Sequence, residues 1–135
     1  MVNLTKDGYV AKTTSANKTI VGLLQSHVES MRLRVHESRP LNTWDPLYAA
    51  VFNHSSEISV ATTNLTDGVL VKETASTSCA IAVTHSHSGV VTNFTVMGMR
   101  EMMTTHNMPK ACPFAGRDHG TLRMPASHAE WSRKR

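Results

Sequence analysis

The chain has 135 residues, a formal net charge of +4 and a sequence pI near 9.4, with 40% hydrophobic and only 5% aromatic residues. That length allows one compact domain, or a smaller domain with an appendage, and the core must be built from Val, Leu, Ile, Ala and Met, which suits a small sheet with one or two helices better than a large enzyme cleft. Residues 1–97 hold seven basic and seven acidic side chains and residues 98–135 hold seven basic and three acidic ones. The excess charge therefore sits in a tail, which is not the clustered basic face of a nucleic-acid-binding domain.

Met1-Val2-Asn3-Leu4 reads as the end of a strand, and Tyr9-Val10-Ala11-Lys12-Thr13 as its hairpin partner across the Asp7-Gly8 turn. Ser15-Ala16-Asn17 offers a helix N-cap. From Lys18 to about Glu37, Ile20, Leu24, Val28, Met31 and Val35 recur at helical spacing, with Val21 and Leu23 widening the stripe. Gly22 inside this helix costs roughly 1 kcal/mol against Ala, and either admits a second backbone or has no role. Arg39-Pro40 ends the helix, because the residue before Pro is pushed out of α geometry.

Leu41 to Pro46 is a loop, and Leu47-Tyr48-Ala49-Ala50-Val51-Phe52 has strand composition. After a turn at Asn53-His54-Ser55-Ser56, Glu57-Ile58-Ser59-Val60-Ala61-Thr62 alternates as a half-buried strand does. A turn from Asn64 to Gly68 leads into Val69-Leu70-Val71-Lys72-Glu73. The predicted order is two strands, a long helix and three antiparallel strands. Beyond Glu73 the composition turns to Met, His, Ser and Thr. Thr74 to Ser78 reads as a linker, and Cys79-Ala80-Ile81-Ala82-Val83 and Val90 to Val96 have strand-like composition about Gly89. Met97 to Thr105 reads as a short helix, and the chain from Asn107 to the basic Trp131-Ser132-Arg133-Lys134-Arg135 reads as loop or disorder. There is no internal repeat. The expected domains are a core over 1–74 and a divergent, partly disordered basic tail over 75–135.

Two cysteines, Cys79 and Cys112, stand far apart with no CxxC spacing; this predicts no disulfide scaffold and a reducing compartment. The N-terminus carries no basic-then-apolar signal segment, and the apolar runs are too short to span a bilayer. The sequons at Asn3, Asn17, Asn53, Asn64 and Asn93 are therefore expected to stay unmodified. His85 and His87, with Cys79, Cys112, His106 and His119, are zinc-ligand types but match no zinc-finger spacing. Cys79 or Cys112 with an activating histidine is the candidate nucleophile. No Gly-rich phosphate loop and no clustered carboxylate pair for acid–base hydrolysis is present. The helix stripe is the main candidate for partner contact.

Over residues 1–73 the chain resembles the roadblock/LC7 domain family, the roadblock-type light chains of dynein. The resemblance lies in Val2-Asn3 followed by Asp7-Gly8-Tyr9-Val10-Ala11-Lys12-Thr13-Thr14, in the helix from Thr19 through Leu23-Leu24 and Val28, and in Glu57-Ile58-Ser59-Val60-Ala61 followed by Val69-Leu70-Val71. It implies an α+β, profilin-like antiparallel sheet packed on a long helix. The family's leading helix is missing here, its first strand is clipped, and the tail resembles nothing in it, which implies a truncated or alternatively spliced product or an imperfect gene model. By resemblance the chain is a non-catalytic subunit without cofactor or metal. It pairs with itself or a related roadblock light chain, and binds the dynein intermediate chain in cytoplasmic or ciliary microtubule-based transport, with no nucleic acid and no membrane insertion. The implied interface is Ile20, Val21, Leu24, Val28, Met31 and Val35 on the helix, with Leu47, Ala49 and Val51 on an edge strand. The alternatives are a roadblock-type scaffold for a small GTPase, and a metal or thiol enzyme built on His85, His87 and the cysteines.

Overall fold

The computed structural model describes residues 1–41, 44–102, 105–107, 109 and 112. Elements run in the order β1 (Val2–Thr5), β2 (Gly8–Thr14), α1 (Lys18–His36), α2 (Pro46–Asn53), a 3-10 turn (Ser55–Glu57), β3 (Ile58–Leu65), β4 (Gly68–Ala75), α3 (Ser78–Met97) and α4 (Met99–Met102). They make an α+β fold, a four-stranded antiparallel sheet of order β1-β2-β4-β3 packed against helices. None of the described helices is long and apolar enough to cross a membrane.

The first half of the expectation holds closely. The Asn17 side chain accepts from Thr19 N and Ile20 N, so α1 begins where the cap was expected. At its other end Ser38 takes a left-handed φ of 52°, Arg39 N donates to Arg34 O and Ser38 N to Val35 O. That is the Schellman pattern, with Ser in the place glycine most often fills. Gly22 has no atom near its missing side chain, so of the two readings of this residue the close backbone approach is removed.

Three expectations about elements and boundaries fail. Leu47–Phe52 is not a strand but the buried helix α2. Asp45 caps it, accepting from Leu47 N at 2.9 Å, and Pro46 occupies its first turn. A short helix that is apolar on every side belongs inside a core, and every residue from Leu47 to Phe52 is buried. Cys79–Val83 and Val90–Val96 are not strands either; both lie in α3. The fold does not stop at residue 74, since α3 packs on β1, β2, β4 and α2. The predicted helix at Met97–Thr105 is in part the end of α3 and in part α4, while the tail beyond Cys112, His119 included, lies outside the described residues.

Helix α3 was hidden because its buried stripe is Ala80, Val83, Thr84, Ser88 and Val90. Two of those five are hydroxyl residues. They fit the interior because Thr84 Oγ1 donates to Ile81 O and Ser88 Oγ to His85 O, satisfying themselves on their own helix.

One sheet face carries Tyr9, Ala11, Val69, Val71 and Glu73, covered by α1 over β3 and β4 and by α3 over β1 and β2. The other face, with Val10, Lys12, Leu70 and Lys72, is half-buried to exposed. Cys79 and Cys112 form a disulfide, against the expectation from their spacing that they would not be paired. It closes a span of 33 residues, for which chain entropy predicts roughly 3–4 kcal/mol of stabilisation.

The β2–β4 ladder begins and ends on glycine, Gly8 opposite Thr74 and Gly68 opposite Thr14. A Cβ at Gly8 would stand 1.8 Å from Glu73 O, and one at Gly68 1.9 Å from Thr13 O. Both obstacles are backbone and cannot swing aside. Gly8→Ala and Gly68→Ala should each cost about 3 kcal/mol or more in denaturant unfolding. Gly22→Ala and Gly89→Ala, in open helical positions, should instead stabilise by up to about 1 kcal/mol.

Candidate functional site

Helices α1 and α3 lie on one sheet face without closing on each other, leaving an apolar groove of about 400 Å³ floored by Tyr9, Ala11, Val69 and Val71. Leu24, Val28 and Met31 line it half-buried, and across it His27 stacks on Phe94 with ring centroids 5.7 Å apart. Gln25 fixes α1 to the sheet, its Nε2 donating to Leu65 O and Gly68 O in the β3–β4 turn. Of the other interface residues expected on α1, Val21 and Val35 are buried. Ile20, at the groove edge, is 50% exposed, and Leu23, three residues further along the same side, is 66% exposed. Leu47, Ala49 and Val51 are 2%, 6% and 3% exposed within α2, so they form no edge for pairing. The sheet edges are β1 and β3.

The polar end of the groove is a buried cluster. Tyr9 Oη donates to Glu73 Oε2 at 3.4 Å, and His87 Nδ1 stands 3.3 Å from Glu73 Oε1. Burial works against a charged His87, and so does the nearby His106, but Glu73, by charge and hydrogen bond, raises its pKa above the ordinary value. Burial, reinforced by Glu73, pushes Tyr9 well up.

A second cluster sits where α2, α3 and the following segment meet. Asp45 and Glu101 are both buried, and His106 lies between them, with Nδ1 2.6 Å from Asp45 Oδ2 and Nε2 2.6 Å from Glu101 Oε1. A ring with carboxylate oxygens at both nitrogens donates to both only as the imidazolium. Burial opposes that charge, yet the hydrogen bonds to Glu101 and Asp45 win and His106 is raised. Tyr48, packed by both His87 and His106, is pushed up to about 12, by burial first and then by Asp45 and Glu101.

The histidines singled out as metal ligands are separated. On a helix, positions two apart point about 200° from one another. His85 accordingly bonds Thr5 O on β1 while His87 turns to Glu73. The sulfurs are joined to each other, and among the described residues no three His, Cys, Asp or Glu side chains form a metal-binding group. The histidine that does approach a cysteine is His54, whose Nε2 is 3.5 Å from Cys79 Sγ and whose Nδ1 is 3.2 Å from Glu57 Oε1. Sequence reasoning missed Asp45 and His54 because 61 and 25 residues separate them from His106 and Cys79, and it missed Glu101 and Glu57, five and three residues from their histidines, because each pair matters only beside those distant partners. Only the Asp45-Pro46 capping pair carried a local signal.

His87 and His106 have raised pKa values, so their stabilisation is complete below the unfolded value near 6.5 and is lost as pH rises through the folded values. His27, lowered by burial, contributes in the opposite sense, its share complete above the unfolded value near 6.5 and lost as pH falls through the lower folded value. The melting temperature should fall as pH is raised from about 6.5. His106→Gln should flatten most of that slope while lowering stability at pH 6. An unchanged slope in this variant would show that the Asp45–His106–Glu101 cluster does not control it.

No protein-family model, curated protein or solved structure matches this chain.

Proposed function

We propose that the chain is a non-catalytic, roadblock-type subunit that works by self-association and by attaching to a dynein intermediate chain as a motor accessory in microtubule-based transport. The observation that carries the reading is the open stripe on α1. A helix whose only task is to cover its own sheet closes down on it, whereas here the groove beside α1 stays open and Ile20 and Leu23 face solvent. An apolar patch continuous with a groove marks a contact surface more often than a solvated one. The order of hairpin, long helix and final hairpin agrees with the resemblance, whereas α2 departs from the strand it implied between them.

The self-association surface in this reading is the α1 stripe at the groove mouth, with Leu24, Val28 and Met31 behind it, and the unpaired side of edge strand β3 beneath α1. Light scattering coupled to size exclusion should give about twice the chain mass of 14.8 kDa. The double variant Ile20→Glu, Leu23→Glu should run as a monomer with unchanged circular dichroism, and should lose capture of the dynein intermediate chain along with dimerisation. A folded wild-type chain that is strictly monomeric at all concentrations would contradict the reading.

A further inference from the structure

The Cys79–Cys112 disulfide lies in surroundings built for sulfur chemistry. Cys79 is the second residue of α3, a helix of 20 residues, where the unpaired backbone amides and the helix dipole favour a negative charge. His54 Nε2 faces its sulfur at 3.5 Å. Behind His54 stands Glu57, close to His54 Nδ1 and accepting from Thr77 Oγ1, the side chain that also caps α3. These two hydrogen bonds, with Thr77 the larger contributor, outweigh burial and hold the Glu57 carboxyl below its usual range. The resulting order, sulfur, imidazole, carboxylate, orients His54 with a ring nitrogen toward the sulfur, where an imidazole N–H donates to a thiolate. The two cysteines also differ in burial. Cys79 is half-buried, whereas Cys112 is 4% exposed within the core cluster.

We propose that Cys79–Cys112 is an exchangeable redox pair whose substrate class is a dithiol or disulfide partner, with Cys79 as the nucleophilic sulfur, His54 as the group that stabilises its thiolate, and Cys112 as the resolving cysteine. Reduction begins when one thiolate of an external dithiol attacks the accessible Cys79 Sγ. A mixed disulfide forms, the Cys79–Cys112 bond breaks, and Cys112 Sγ leaves with the electron pair and takes a proton. The partner's second thiolate then attacks its own sulfur in the mixed disulfide and expels Cys79 as a thiolate beside His54 and the α3 amides. The partner dithiol is oxidised to its disulfide, and the protein gains two electrons. Run backwards, the Cys79 thiolate attacks a partner disulfide and Cys112 closes the intramolecular bond. The opened state loses the covalent tie between α3 and the segment that carries His106, so the exchange also controls how firmly that segment is held.

The test uses the full chain. Native protein is incubated with dithiothreitol and the freed thiols are counted. The reduced protein is then alkylated with iodoacetamide across a pH series, and each site is mapped by mass. Rapid reduction in the native state is expected. At pH 7 Cys79 should be alkylated about tenfold or more faster than Cys112, with a midpoint at lower pH. His54→Gln should move the Cys79 midpoint upward, and Glu57→Gln should move it in the same direction by less. Cys112→Ser, which frees Cys79 without reduction, gives the same profile independently of refolding in reductant. A disulfide that resists dithiothreitol until the protein is denatured overturns the proposal. So does a Cys79 profile that matches Cys112, or one that His54→Gln leaves unmoved in a folded variant.

Discussion

Everything in this molecule rests on the seam between β2 and β4. The N-terminal hairpin and the β3–β4 hairpin are local structures, each formed by residues close in sequence. What makes them one sheet is the register from Gly8 opposite Thr74 to Thr14 opposite Gly68. Two glycines permit it, since any side chain at either end would occupy the space of the facing backbone. Once the seam forms, Tyr9, Ala11, Val69 and Val71 make a continuous apolar floor, and α1 and α3 have a common surface to bury. Without it each hairpin exposes an apolar face and neither is long enough to be stable alone.

The seam also explains why ionisable groups can be held inside so small a core. Glu73 lies directly opposite Tyr9 in the register, so its carboxylate meets a phenol and, from α3 above, an imidazole. Asp45 serves the backbone of α2 and the ring of His106 together. A buried carboxylate is tolerated when it is paired and hydrogen-bonded, and among the described residues no buried side-chain polar atom lacks a partner. These clusters join elements distant in sequence, which makes them part of the fold's specificity and, through the histidines, of its response to pH.

Legibility in the sequence followed the strength of local signals. The α1 stripe, its Asn17 cap, the Asp7-Gly8 turn and the alternating β3 strand were all readable, because periodicity and caps act within a few residues. Leu47–Phe52 was not, since a short run of unbroken apolar residues has no period and fits a buried strand or a buried helix equally; Asp45-Pro46 was the discriminating clue. Helix α3 was obscured by Thr84 and Ser88 in its buried stripe and by β-branched Val and Thr, which mimic strand composition. The break in composition after Glu73 therefore marks a change in how the core is lined, while the core itself continues through α3. Of the candidate site, the α1 face was legible. The disulfide and the approach of His54 to Cys79 were not, because cysteine spacing alone does not fix pairing and no pattern links residues that meet only after folding.

The β2–β4 seam and α3 belong to one cooperative unit that extends past residue 74. Native-state amide hydrogen exchange resolved by residue tests this directly. Amides in the middle of β2 and β4 and those of Val83 and Thr84 in α3 are expected to share the highest protection and to exchange only through global unfolding. Strongly protected β2 and β4 amides beside α3 amides that exchange at nearly the unfolded rate would contradict it.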